Sequence, residues 1–182
     1  MPNSLPADFA DGVLPPGDYP MTLSELEQSL LVVGPRPNLP NWDTTWRRYL
    51  VGQLTILAAQ LWDEGVTEIY LDGSFVEDKL RPGDIDGYYV TTQSAIAGGL
   101  LGRLNARNPL PIWTMSNRLL DLETGKRKPL MWHIHKVELY AEQGQFTGIL
   151  DEFGHNQTFP AAFRKTREER GWKPKGIIRL IR

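Results

Sequence analysis

The residues best suited to chemistry form two pairs, a glycine and serine at Gly73 and Ser74 and two aspartates at Asp84 and Asp86. Gly73 ends segment 67–73, which is rich in strand-forming residues, and it lets the backbone turn sharply. Ser74 stands where a short helix can begin. Backbone N–H groups at a helix start, with a hydroxyl beside them, can cradle phosphate. The first pair therefore predicts a phosphate-binding corner.

The two aspartates are two positions apart in segment 84–92, which reads as a strand, so both carboxylates point to one face. Paired carboxylates suit Mg²⁺, which prefers oxygen ligands and keeps substrate phosphates in its coordination shell. Two-metal phosphoryl transfer places the ions about 3.5–4 Å apart between shared carboxylates. A third carboxylate commonly completes such a site. We predict Glu138 for this position, with Glu142 as the alternative.

Glu138 lies in the clearest later strand, residues 132–142. If this strand pairs beside the aspartate strand, Glu138 reaches the same metal ions. Alternation divides the side chains between two faces, with Ile134, Lys136, Glu138 and Tyr140 on one and His133, His135, Val137 and Leu139 on the other. The two histidines lack a third ligand of their type nearby, so we predict that they pack or form hydrogen bonds.

Helices and strands alternate along the rest of the chain. A short helix is predicted with Thr22 or Ser24 as its cap, and Glu25 is the capping-box partner of Thr22. A long helix over residues 43–64 follows, with apolar residues at helical spacing and Gly65 at its end. Further predictions are helices at 94–108 and 160–170, a polar turn within 119–132, and a last strand at 176–181. The order predicts an α+β (or α/β) sandwich, a mixed sheet flanked by helices.

The chain of 182 residues is predicted to form one domain, residues 1–182, with 1–40 as an N-terminal arm and 160–182 as a basic C-terminal extension. It has no cysteine, which excludes disulfides and thiolate zinc ligation. The N-terminus lacks the basic start and apolar run of a secretory signal. No apolar stretch approaches the ~20 residues that span a bilayer. We therefore expect a cytoplasmic protein without membrane insertion.

Charge is distributed unevenly. Residues 160–182 hold eight basic residues against Glu168 and Glu169, a net of +6, so that the other 159 residues carry −8. A basic segment favours a phosphate-rich partner such as nucleic acid, and a solvated helix face is the equal alternative. Trp172 lies among these cations and either stacks on a base or packs against the protein. We favour packing.

The two motifs together resemble those of the nucleotidyltransferase superfamily, which has the DNA polymerase β-like fold. The superfamily motif is an apolar residue, glycine, glycine or serine, a spacer, and then Asp-apolar-Asp. The stretches 71–74 and 84–86 match it. Gly83 departs from it, because many members have serine directly before the first aspartate. The wider stretches GSFVEDKLRPGDIDGYYV, LPPGDYPMTLSELEQSLL and PKGIIRLI are similar to a small bacterial family of uncharacterised stand-alone nucleotidyltransferase-like proteins.

The resemblance implies a nucleotidyltransferase fold and a reaction. A nucleoside monophosphate would pass from an NTP or dNTP to an acceptor hydroxyl on a protein, a tRNA, a small molecule or a growing oligonucleotide. Asp84 and Asp86 would ligate two Mg²⁺ ions, with Mn²⁺ as an alternative. Glu138 would ligate the ion that activates the acceptor hydroxyl, or act as its base.

The resemblance also assigns nucleotide-binding roles. Gly73 and Ser74 would hold the β- and γ-phosphates. Lys79 and Arg81, in the spacer, would neutralise the departing pyrophosphate. A solvated loop is an equal alternative for these two cations.

Small bacterial relatives of this fold occur in toxin–antitoxin pairs and anti-phage operons. The resemblance therefore implies a defence role and a protein partner encoded nearby, an effector or a toxin. One alternative is a catalytically silent antitoxin or adaptor that binds a partner protein. Another is a nucleic-acid-binding protein that relies on residues 160–182.

Overall fold

The computed structural model describes residues 5–35, 39–143 and 145–182. The strands are β1 (Asp18–Met21), β2 (Ile69–Asp72), β3 (Ile85–Tyr89), β4 (Arg118–Leu120), β5 (Arg127–Pro129), β6 (Val137–Ala141) and β7 (Ile177–Leu180). The helices are α1 (Leu23–Gln28), α2 (Leu30–Val33), α3 (Thr44–Asp63), α4 (Gln93–Ala97), α5 (Leu100–Ala106), α6 (Leu130–His135) and α7 (Phe159–Ala162). The mixed α+β architecture predicted from the sequence is confirmed.

A five-stranded sheet in the order β1-β7-β2-β3-β6 organises the molecule, and β4 and β5 form a separate antiparallel hairpin. Strand β2 is antiparallel to β3 and β7, whereas β1 is parallel to β7 and β6 is parallel to β3. In this register Asp72 pairs with Asp86, and Asp86 pairs with Glu138. Three acidic residues therefore lie side by side on adjacent strands.

The long helix α3 supplies the largest element of the core. It begins where the Asp43 side chain accepts a hydrogen bond from the backbone N–H of Trp46, at 2.9 Å. Gly65 follows its end with φ +81°, the left-handed conformation common after helices. Its inward face is fully buried and consists of Leu50, Leu54, Leu57, Ala58 and Leu61. The predicted helix over 43–64 is confirmed, as is the capping box before α1 between Thr22 and Glu25.

The strand predicted over 132–142 is wrong in its first half. Residues 130–135 form α6, and only 137–141 form β6. Pro129 precedes the helix in an extended conformation and Lys136 ends it with φ +54°. Burial of Met131, Trp132 and His135 follows a helical face rather than strand alternation.

Two predicted helices are also shorter in the structure. The segment 94–108 breaks at Gly98 and Gly99, where Gly99 has φ +83°. In the segment 160–170 the α-helix ends at residue 162, and a 3₁₀ turn covers Glu168–Arg170. Between these two elements the backbone forms hydrogen bonds with a later part of the chain: the N–H of Lys175 donates to the carbonyl of Arg164 at 2.9 Å. Those groups are then unavailable for a continuous helix.

Both chain ends contribute to the sheet. Within the predicted arm, residues 18–21 form the edge strand β1, and residues 23–33 form α1 and α2, which pack on α3. Within the predicted C-terminal extension, β7 lies between β1 and β2. Among the described helices, none combines the length and apolar character needed to cross a membrane.

Candidate functional site

Three carboxylates come together where β3 and β6 begin. Asp84 directly precedes β3, Asp86 is its second residue, and Glu138 is the second residue of the neighbouring β6. Each of the three offers an oxygen, and these oxygens all lie within 4.8 Å of one another. Glu142, the alternative third ligand, is not part of this group of described residues. We call Asp84, Asp86 and Glu138 the acidic trio.

The electrostatics of the acidic trio favour a cation. Burial, together with the negative charges of Asp84 and Glu138, raises the pKa of Asp86 well above its usual range. Divalent cations that prefer oxygen ligands, Mg²⁺ and Mn²⁺ among them, match a donor set of three carboxylates. The residues present therefore fit the predicted metal site.

Lys128 is a site residue that the sequence analysis missed. Its Nζ lies 2.9 Å from Oδ2 of Asp84 and 2.5 Å from Oε1 of Glu138. Burial alone would lower the pKa of Lys128, but the two carboxylates outweigh this effect and raise it. Lys128 belongs to β5, outside the main sheet, and no local pattern marks it. Only the path of the hairpin brings it to the acidic trio.

Neighbouring polar groups orient the carboxylates. The indole N–H of Trp132 donates to Oδ2 of Asp84 at 2.8 Å. The hydroxyl of Tyr140 donates to Oε2 of Glu138, as their shared face on β6 predicts. Arg118 Nη2 approaches the same Oε2 at 3.8 Å. These contacts keep the carboxylates directed at a common point.

The turn that contains Gly73 and Ser74, which we call the glycine corner, lies directly against Asp86 of the acidic trio. Gly73 begins a 3₁₀ turn, Gly73–Val76, and has φ +73°. A Cβ atom at this position would lie 2.2 Å from Oδ2 of Asp86, so glycine is the residue that fits. The structure therefore brings together the two motifs that the sequence separates, with Ser74 next in the turn.

Lys175, from the basic segment 160–182, contacts residues on both sides of the turn that contains Gly73 and Ser74. Lys175, only 4% exposed, lies 3.1 Å from Oδ2 of Asp72 and 3.2 Å from Oε1 of Glu77. Its ammonium is also 3.4 Å from the carbonyl of Gly73. Burial raises the pKa of Asp72 to about 7, although Lys175 opposes this shift.

The predicted spacer cations have different positions. Lys79 lines the same cavity as the acidic trio. Arg81 pairs instead with Asp43, and its guanidinium lies 4.1 Å from the centre of the Trp46 ring. It is not among the described residues that line the cavity. Arg81 therefore braces the start of α3, and the structure offers no support for its predicted contact with pyrophosphate.

The cavity has a volume of ≈ 970 Å³ and contains the acidic trio, Gly73 and Ser74 in its wall. Among the described residues, eight cationic side chains also line it: Lys79, Arg118, Lys126, Lys128, Lys165, Arg167, Arg170 and Lys175. Four of them come from the basic segment 160–182, and three of these, Lys165, Arg170 and Lys175, are paired with carboxylates of the protein. Asp72, Glu77 and Glu169 line the cavity together with the acidic trio, so the eight cations exceed the six carboxylates by two. A cavity with this excess of positive charge suits an anionic ligand.

The histidines form hydrogen bonds, as predicted. His135 Nδ1 lies 2.8 Å from Oε1 of Gln53, and His133 Nε2 lies 3.2 Å from the carbonyl oxygen of Leu119. The two do not share a strand face, since both belong to α6.

Residues 7–181 match the model of a family described as a family of unknown function, DUF6932. No curated protein and no solved structure matches the chain. Because the match covers almost the whole sequence, the chain belongs to the DUF6932 family.

Proposed function

We propose that the protein is a metal-dependent nucleotidyltransferase that moves a nucleoside monophosphate from an NTP or dNTP to an acceptor hydroxyl. The observation that carries this proposal is the acidic trio, whose three ligand oxygens lie within 4.8 Å of one another. The trio shares its cavity with Gly73 and Ser74 and with eight cationic side chains. The proposed metal site and the proposed phosphate site are therefore adjacent.

In this proposal Asp84, Asp86 and Glu138 hold two Mg²⁺ ions, or Mn²⁺ ions. The bound ions would neutralise charge on the transferring phosphoryl group and lower the pKa of the acceptor hydroxyl. Trp132 and Tyr140 orient the carboxylates through the hydrogen bonds described above. The fold thus prepares the ligands before substrate arrives.

The reaction forms a bond between the acceptor oxygen and the α-phosphorus and breaks the bond from that phosphorus to the bridging oxygen of the β-phosphate. Pyrophosphate leaves with the bonding electron pair, and the hydroxyl proton passes to a carboxylate of the trio. Lys79 and the arginines of the cavity wall offset the negative charge of the leaving group. Catalysis then depends mainly on positioning and charge neutralisation.

The motif resemblance supports a setting for this activity, bacterial defence or a toxin–antitoxin system with a protein partner encoded nearby. The basic segment in the cavity wall supports a nucleic acid among the candidate acceptors.

Incorporation of labelled nucleotide tests the proposal. The purified protein is incubated with each NTP or dNTP in the presence of Mg²⁺ or Mn²⁺. Separate reactions contain total RNA as acceptor, protein as acceptor, or no acceptor, and the products are identified by mass spectrometry. The proposal expects metal-dependent incorporation that is lost in D84N/D86N. The control E27Q/E123Q removes two exposed carboxylates and should keep full activity. Absence of incorporation under every condition, from a folded protein, counts against the proposal.

Lys128 favours a second candidate, a catalytically silent antitoxin or adaptor that binds a partner protein. Its ammonium pairs with two of the three carboxylates, Asp84 and Glu138, without any metal. Calorimetry separates the candidates: heat from Mg²⁺–NTP binding supports the enzyme, and a well-folded protein that binds neither supports the silent module.

A further inference from the structure

Lys128 contacts one oxygen on each of two carboxylates in the acidic trio. Oδ2 of Asp84 accepts from both Lys128 and Trp132. On Glu138, Oε1 accepts from Lys128 while Oε2 accepts from Tyr140. A cation that binds Glu138 through Oε1 must therefore displace the ammonium group.

The position of Lys128 allows such a displacement. The residue lies on the short hairpin of β4 and β5, which is not part of the main sheet. Its side chain is 20% exposed, lines the cavity, and has a flexible four-carbon stem. An ammonium that leaves the carboxylates remains in the same cavity, beside the space available to a ligand.

Charge balance indicates which group binds the displaced ammonium. With all three carboxylates ionised by bound metal, the trio carries three negative charges, and two divalent cations more than neutralise them, so Lys128 would then be repelled. A nucleoside triphosphate brings several negative charges into the same cavity. Lysine binds phosphate well as a compact, flexible cation.

From these contacts we propose that Lys128 exchanges partners: it holds Asp84 and Glu138 together in the metal-free protein and binds the triphosphate once metal ions occupy the trio. This inference rests on the proposed function, because it requires metal and nucleotide in this cavity. It assigns Lys128 two successive roles, a competitor of the metal and then a nucleotide ligand.

Metal affinity without nucleotide tests the first role. Mn²⁺ binding is titrated by electron paramagnetic resonance for the wild type, K128M and K126M. Lys126 is a matched control, since it lies on the same hairpin and lines the same cavity but is not paired with the trio. Removing the competing ammonium should raise Mn²⁺ affinity by about tenfold or more in K128M. K126M should change it by less than about twofold.

Nucleotide affinity tests the second role. At saturating Mn²⁺, binding of a non-hydrolysable NTP analogue to K128M should weaken by about tenfold, the size of one lost charge-assisted contact. If K128M fails to fold, acylation of the wild-type protein tests the displacement of Lys128 instead. Saturating Mg²⁺ should then accelerate acylation of Lys128 by an amine-reactive ester, measured by mass spectrometry, while the rate at Lys126 stays constant.

The outcomes separate this inference from the proposed function. Equal Mn²⁺ affinity of wild type and K128M, or unchanged acylation of Lys128 with bound Mg²⁺, overturns the exchange while nucleotide incorporation by the wild type still stands. Binding of Mn²⁺ to K128M but not to the wild type, even with nucleotide, makes Lys128 a permanent substitute for metal and overturns both. Failure of both proteins to bind Mn²⁺ also overturns both.

Discussion

Gly73, directly after β2, lies so close to Asp86 of β3 that a Cβ atom on Gly73 would come within 2.2 Å of Oδ2 of Asp86. We predict that G73A displaces this carboxylate and lowers nucleotide incorporation at least about tenfold, as small misplacements in active sites do. Strain at φ +73° should also cost about 1–2 kcal/mol of unfolding free energy.

The matched control for this substitution is G65A. Gly65 has a similar φ of +81°, but a Cβ atom there meets nothing within 4 Å. G65A should lose comparable stability in urea and keep its incorporation rate. Equal loss of activity in the two variants would show that backbone strain, and not the contact with Asp86, is responsible.

Replacement of the ionisable carboxyl group of Asp86 should stabilise the metal-free protein. Its raised pKa shows that the folded state disfavours the ionised carboxylate, and Lys128 pairs with Asp84 and Glu138 rather than with Asp86. We expect D86N to raise the unfolding free energy in EDTA by about 1 kcal/mol or more and to abolish incorporation. E138Q should also abolish incorporation. It should not raise the unfolding free energy, because the substitution removes the ion pair between Glu138 and Lys128. A destabilised D86N would contradict this account of the trio.

Arg47 should be essential for the turn that carries Ser74. It is fully buried, and its guanidinium donates to four backbone carbonyls, those of Leu31, Phe75, Glu77 and Lys79. A lysine cannot reach all four, and each buried acceptor left without a donor costs about 1–3 kcal/mol. We predict a loss of about 3 kcal/mol or more for R47K in urea denaturation. R48K, at the exposed neighbouring position, should remain within about 0.5 kcal/mol of the wild type.

Asp72 should give stability a measurable pH dependence. Burial raises its pKa from 3.8 to about 7 in the folded protein. Between these values the folded state holds a proton that the unfolded chain has released, so the unfolding free energy should fall as pH rises from about 4 to 7. The slope is at most about 1.4 kcal/mol per pH unit. D72N should lack this contribution, and a wild type with the same pH profile as D72N would refute the assignment.

The main elements of the site follow from local sequence. Strand-forming residues before Gly73, alternation around Asp86, and the capped apolar pattern of α3 each depend on neighbours a few positions away. The prediction for 132–142 was half wrong because a short apolar run fits both periods. Tertiary burial of Met131 and Trp132 favoured a helix there.

By itself, the sequence determined the residue types and their local geometry: a glycine able to turn, two aspartates on one strand face, and a glutamate on a later strand. Only the tertiary structure decided that the parallel pairing of β3 with β6 places Glu138 opposite Asp86, and that a separate hairpin delivers Lys128 to the carboxylates. It also turned Arg81 away toward Asp43. Local patterns cannot specify such contacts, because strand order and loop paths depend on which apolar surfaces of the whole chain pack together.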